Sequence, residues 1–289
     1  MKIGIIGTGL LGSAIATRLL KTGYSITAYN RTKEKARLLE TLGASIEESP
    51  KKVAEMSDLV IVIVKDVGSV ESVSFGNNGV VFGKHDGLVV SNMSTINPIS
   101  SKKIAQRYLQ HNIPMIESPV MGGPTLAEKG RLVVMIGGKR NDYERFRTVF
   151  DSIAEKTFFL GVNGTANAMK LAMNLQISLL ALSISEGIML SKKAGLDPLL
   201  FLDVLNSTYF KTGMSVLKGP KMARGLFEPS FFLSMMQKDL DEIDYTANEF
   251  KANLPAAKLA RKMYRNAARE GFGEIDYTGI MAYLEKINR

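Results

Sequence analysis

The chain has 289 residues, 45% of them hydrophobic and 22% charged, with a formal net charge of +9 and no cysteine. That length allows about two domains with a large core and excludes a disordered chain. The lack of cysteine excludes disulfides, thiolate nucleophiles and thiolate-held metal, and fits a cytoplasmic location.

Lysine and arginine are interleaved with acidic residues throughout, and no basic run carries aromatics, so no nucleic-acid partner is expected. The positive balance suits small anionic substrates or a phosphate-rich cofactor. MKIGIIG reads as a strand, because glycines follow where a signal peptide would need more apolar residues. It runs into Gly7-Thr8-Gly9-Leu10-Leu11-Gly12 and then a helical pattern, LLGSAIATRLLKTG. Strand, glycine loop and helix in that order make a dinucleotide-binding turn. Gly7 makes the tight turn, Gly9 admits a pyrophosphate, Gly12 lets helix and strand pack closely, and the helix N-terminus receives the anion. The second strand, SITAYN, ends where an acidic residue would bind the adenosine ribose of NAD. Asn30, Arg31 and Thr32 stand there instead, offering a guanidinium and a hydroxyl to a 2′-phosphate with no carboxylate to repel it. NADP(H) is therefore expected in preference to NAD(H). Thr32 also suits the N-cap of a helix over KEKARLLETLG.

Further strands are expected at 59–64, 88–93, 114–118 and 132–138, whose apolar runs suit a parallel sheet buried on both faces. Val64, Lys65 and Asp66, like Ser94 and Thr95, fall just past strand ends, the edge at which such sheets bind ligands. After Gly164 the pattern turns helical and stays so. Residues 166–195 read as one helix of about thirty residues ending near Gly195. Asn167, Lys170, Asn174, Ser178 and Ser185 share a narrow arc of it. A helix apolar nearly all round is buried, so this stripe must face partners or a wet cleft. Lys170 is the only charged side chain between Lys156 and Glu186. Helices follow near 197–206, 233–250, 254–269 and 274–288. Phe231 and Phe232 are candidates for lining a substrate site, although aromatics in such a run are more often core. Leu171 to Ser185 is short and carries Asn174 and Gln176, so no membrane span is expected. Asp239, Asp241 and Glu242 read as a solvated helix face, and no His, Asp and Glu cluster has metal-ligand spacing, so no metal is expected.

GTGLLG, NMST at 92–95, SPVMGGPTLAEKGRL at 118–132 and NAMKLAMN at 167–174 occur in that order, with QKDL at 237–240 beyond them. Across essentially its whole length the chain resembles the β-hydroxyacid dehydrogenase family. That family includes 3-hydroxyisobutyrate dehydrogenases, glyoxylate and succinic semialdehyde reductases and relatives of 6-phosphogluconate dehydrogenase. The resemblance implies an α/β Rossmann NADP-binding domain over 1–162, an all-helical substrate and dimerisation domain over 163–289, and an active site between them. It implies a homodimer or homotetramer. It makes Lys170 the catalytic lysine, with Asn174 positioning the substrate oxygen. Thr95 would contact the nicotinamide portion, Lys238 would reach the cofactor, and the amides of Gly122 and Gly123 would hold a substrate carboxylate, near Ser94 and Phe231. One departure stands out: Met121 replaces the serine usual in the family, removing a hydroxyl that commonly binds the carboxylate.

The implied reaction is reversible hydride transfer between the nicotinamide and a short aldehyde or keto acid and its hydroxyacid. Lys170 gives a proton to the developing alkoxide and takes it back in reverse, aided by burial and nearby positive charge. An imine reductase on the same scaffold and a catalytically silent nucleotide-binding module are the alternatives.

Overall fold

A computed structural model describes all 289 residues. They form two compact units, Met1–Lys170 and Leu171–Arg289. The first holds a parallel six-stranded sheet of β1 (Lys2–Ile6), β2 (Ser25–Tyr29), β3 (Ser45–Ile46), β4 (Leu59–Val62), β5 (Val89–Asn92) and β6 (Met115–Glu117), in the order β3-β2-β1-β4-β5-β6. Successive side chains on a strand point to opposite faces. Ile3, Ile5, Leu59 and Ile61 accordingly enter one apolar cluster, whereas Val60, Val62 and Val90 enter another. Helices cover both faces, so these strands are apolar without alternation. The strand order reverses between β1 and β4, and in such sheets ligands bind beyond the strand C-termini at that point.

The run at 132–138 does not join this sheet. Leu132–Ile136 (β8) lies in a separate three-stranded sheet, antiparallel to Val120–Met121 (β7) and parallel to Ala154–Phe159 (β9). An apolar run specifies a buried strand but not its neighbours. The stretch KEKARLLETLG also departs from expectation, forming a short 3₁₀ turn, Lys33–Ala36, followed by a helix of only five residues, Arg37–Thr41. Thr32 precedes the turn without a side-chain cap; its carbonyl instead accepts from the Asn30 side chain and the Lys35 N–H.

The long helix runs Thr165–Lys193. Its length and composition alone suffice to cross a membrane, which corrects the expectation that no segment is long enough; the interior helix of a globular protein meets the same criterion. By compactness the units divide within this helix, after Lys170. The reason is local: Asn167 is fully buried and bonded into the first unit.

The second unit is helical, with Pro198–Asn206, Gly213–Leu217, Gly219–Ala223, Leu233–Glu249, Pro255–Arg269 and Ile280–Ile287 following the long helix. The last begins later than expected, because residues 272–279 form two 3₁₀ turns around Asp276. Asp276 is buried. Its carboxylate accepts from Lys218 Nζ at 2.7 Å, the Ser230 N–H at 3.0 Å and the Thr278 hydroxyl at 2.8 Å. Burial pushes this carboxyl up, but the Lys218 hydrogen bond and charge, with the Ser230 and Thr278 donors, outweigh it and hold the group below its ordinary value.

A group titrating lower in the folded chain stabilises above its unfolded pKa, near about 4, and loses that contribution as the pH falls through the folded value. Asp276→Asn should therefore cost about 1–3 kcal/mol at neutral pH. Denaturation at pH 7 and pH 3 checks this: the gap between variant and parent should narrow at the lower pH, and an equal gap at both would contradict it.

Candidate active site

The glycine loop supplies three separate backbone constraints. Gly7 has φ +103°, and a β-carbon there would lie 2.0 Å from the Ile63 carbonyl oxygen. A β-carbon on Gly12 would lie 2.0 Å from the Gly7 carbonyl oxygen, so the helix Leu10–Lys21 can approach the strand only with glycine there. Gly9, by contrast, has nothing within 4 Å of its hypothetical β-carbon. Only at Gly9 does the missing side chain open space, and it opens at a helix N-terminus with no side-chain cap and no acidic residue in the first turn. That is a cradle for a pyrophosphate. The buried Thr8 hydroxyl has no hydrogen-bond partner. Leu10 is exposed on the first turn of the helix, and Leu11 packs on the core beneath the loop.

Beside the loop lies a cavity of about 560 Å³ lined by Gly7, Gly9, Asn30, Arg31, Thr32, Val64, Lys65 and Asp66, among others. Sequence analysis missed Lys35, which lines the same cavity. Its position after Arg31 and Thr32 was the available signal, obscured by reading the stretch as an ordinary helix. Two expected contacts turn out to be engaged within the protein. Asn30 accepts from the Thr8 N–H at 3.0 Å and donates to the Thr32 carbonyl at 2.8 Å, clamping the glycine loop to the loop after β2. Asp66 caps the helix Val67–Phe75 by accepting from the Ser69 N–H at 2.8 Å. Arg31, Thr32 and Lys35 are exposed around the cavity, so charge at its rim is positive apart from that capping carboxylate. The cavity therefore suits the phosphates of a nicotinamide dinucleotide.

Ser94 departs from the substrate role expected of it. It is buried; its hydroxyl accepts from the Val64 N–H at 3.0 Å and donates to the Val62 carbonyl at 3.3 Å, tying together the ends of β4 and β5. Thr95, the next residue, is partly exposed. Lys170, also partly exposed, places Nζ 3.3 Å from the sulfur of Met121 at the end of β7. Gly122 follows with φ +115° and an exposed backbone, and Gly123 precedes the short helix Pro124–Glu128. The first unit thus brings the lysine, the methionine and the two glycine amides to one strand end.

Within the second unit, Asn174 is buried and donates through Nδ2 to Asp239 at 2.5 Å, while its Oδ1 is buried without a partner. Asp239 is 1% exposed and also pairs with Lys238 at 2.5 Å. This overturns the reading of Asp239 as solvated: periodicity shows which face a residue occupies, not whether that face is covered. Asp241 does face charged neighbours, pairing with Arg261 and Arg265. Phe231 is partly buried and meets Tyr277 edge-on with ring centres 6.0 Å apart, so packing within its own unit accounts for it.

Residues 2–161 match the family model for the NAD binding domain of 6-phosphogluconate dehydrogenase, and residues 164–284 match that for the NAD-binding domain of NADP-dependent 3-hydroxyisobutyrate dehydrogenase. Among curated proteins, glyoxylate/succinic semialdehyde reductase 2 of Arabidopsis thaliana is 32% identical over 99% of this chain and 80% of its own length. Among solved structures, a 3-hydroxyisobutyrate dehydrogenase from Salmonella typhimurium superposes with a TM-score of 0.90 at 24% identity, over 98% of this chain and 99% of that one. An imine reductase from Pseudomonas sp. shares the fold at a TM-score of 0.68 and 22% identity, covering 98% and 99% of the two chains. With two family models spanning nearly all of its length, a Rossmann unit followed by a helical one and a nicotinamide dinucleotide cradle, the chain is an oxidoreductase that belongs to the β-hydroxyacid dehydrogenase family.

Proposed function

We propose that the protein is an NADP(H)-dependent enzyme that interconverts a short aldehyde or keto acid and its hydroxyacid, with Lys170 as the proton donor and acceptor. The observation that carries this reading is the Lys170 ammonium held at the Met121-Gly122-Gly123 strand end, in the same compact unit as the dinucleotide cradle. Arg31 and Lys35, with the Thr32 hydroxyl, receive a 2′-phosphate, and the Gly9 helix end receives the pyrophosphate. The nicotinamide, when bound, supplies the hydride for the carbonyl carbon or accepts it in reverse. As hydride reaches the carbon, the oxygen gains negative charge, and Lys170 Nζ gives it a proton to leave the alcohol. A thioether is a weak acceptor, so a substrate oxygen competes well for an N–H aimed at sulfur. Asn174, one turn along the same helix, hydrogen-bonds that oxygen, its amide plane fixed by the bond to Asp239.

Met121 sets the substrate class in this reading. Thioether in place of hydroxyl leaves a carboxylate fewer donors, so only the backbone amides of Gly122 and Gly123 and nearby cations remain for it. Short carbonyls with an apolar or distant polar group are then favoured over those with a carboxylate adjoining the carbonyl. The domain division at 162, a homodimer or homotetramer, and a cytoplasmic setting belong to the same proposal. A cysteine-free composition supports the setting.

Lys170→Ala should lower turnover by at least about a hundredfold with NADPH affinity nearly intact, the size expected of a lost proton donor. Unchanged turnover with any active carbonyl would remove Lys170 from the chemistry. Arg31→Ala should weaken NADPH binding about tenfold while barely moving NADH, measured by fluorescence titration; equal loss for both would contradict the phosphate contact. Met121→Ser should raise kcat/KM for glyoxylate relative to an uncharged short aldehyde, and an unaltered ratio would separate Met121 from substrate choice. Cyclic imines assayed in parallel distinguish imine from carbonyl reduction.

A further inference from the structure

Glu117 ends β6 with 0% of its surface exposed, yet its carboxylate is met by amide donors and not by a lysine or arginine. One oxygen accepts from the Ala166 N–H at 3.2 Å, in the first turn of the long helix, and the other accepts from Asn167 Nδ2 at 3.2 Å. Asn167 is likewise 0% exposed. Its Oδ1 accepts from the Ile96 N–H at 3.2 Å, next to Thr95, and its Nδ2 also reaches the Ser101 hydroxyl at 3.4 Å. The main chain is built to admit the carboxylate: Glu117 and Gly137 exchange backbone hydrogen bonds of 2.7 and 3.1 Å, and a β-carbon on Gly137 would lie 2.6 Å from the Glu117 oxygen.

Burying a carboxylate without a cation is costly. Here it accepts from the first turn of a helix, where the macrodipole favours negative charge. Asn167 carries the link onward to the loop after β5, and Lys170 lies one turn beyond on the same helix. We propose that Glu117 and Asn167 are positioning residues for Lys170, fixing the rotation and register of the helix start against the Thr95-Ile96 loop. The substrate oxygen then meets Nζ at a set distance. This rests on the proton-transfer role of Lys170 proposed above.

A pair of single variants and their combination test it. Glu117→Gln keeps one acceptor but turns the other oxygen into a donor, so it loses either the Ala166 or the Asn167 bond. Asn167→Asp sets two carboxylates against each other. The double variant Glu117→Gln/Asn167→Asp conserves charge and reverses the direction of one bond: the glutamine amide donates to Asp and still accepts from Ala166, while the other Asp oxygen still accepts from Ile96. Each single variant should lower kcat by about ten- to a hundredfold per cofactor-binding site, because small misplacements of a reacting group have effects of that size. KM for NADPH should stay within about threefold, and the double variant should recover most of the lost kcat.

Folded single variants with parental kcat and reduced Tm alone would overturn the proposal, as would a double variant slower than either single. Amide exchange over residues 165–171 separates this from failure of the reductase reading. If the parent turns over no carbonyl or imine, that reading fails; faster exchange in both singles, restored in the double, would still support the clamp, and unchanged exchange would overturn it.

Discussion

A lysine carried on a largely apolar stretch of helix keeps one direction only if the helix cannot rotate or slide, and hydrogen bonds at the helix start resist both. Asn167 and the Ala166 N–H are held by a carboxylate at the end of β6, and Asn167 also reaches the loop leaving β5. Strand ends of the nucleotide-binding sheet and the lysine one turn further on are thereby set by the same few bonds. The buried cost of those polar groups is repaid in direction, which apolar packing alone does not specify.

Two other polar networks follow the same logic. Asn30 is acceptor to the glycine loop and donor to the Thr32 carbonyl, so the glycine loop and the loop after β2 are held as one piece. Ser94 joins the ends of β4 and β5. Each is a short polar side chain beyond a strand C-terminus that braces backbone, while its neighbour, Arg31 or Thr95, is more exposed. Met121 stands apart, since it places a soft, weakly accepting atom beside the one lysine in the first half of the long helix.

Much of this was legible in the chain because it depends on local rules. The glycine loop is a set of backbone constraints within six residues, and the structure shows a separate steric reason for Gly7 and Gly12 and open space at Gly9. The long helix announced itself by a polar stripe repeating over many turns. What stayed hidden depends on distant partners. Glu117 bonds residues 49 and 50 positions away, which no local pattern signals. Asp239 looked solvated because its partners, Asn174 among them at 65 positions, lie on another helix or beside it. Strand β9 was missed because Glu155 and Lys156 break its apolar pattern, and β8 was assigned to the wrong sheet because its own residues say nothing about which strand it pairs with.

The central claim is that the Lys170 amine exchanges a proton with the substrate oxygen. A crystal structure of the protein with NADP and a hydroxyacid that it oxidises tests this most directly. The account predicts Nζ about 2.7–3.2 Å from the hydroxyl oxygen, with that carbon facing the nicotinamide. A hydroxyl bonded to another side chain or to water, with Nζ still against the Met121 sulfur, would contradict it.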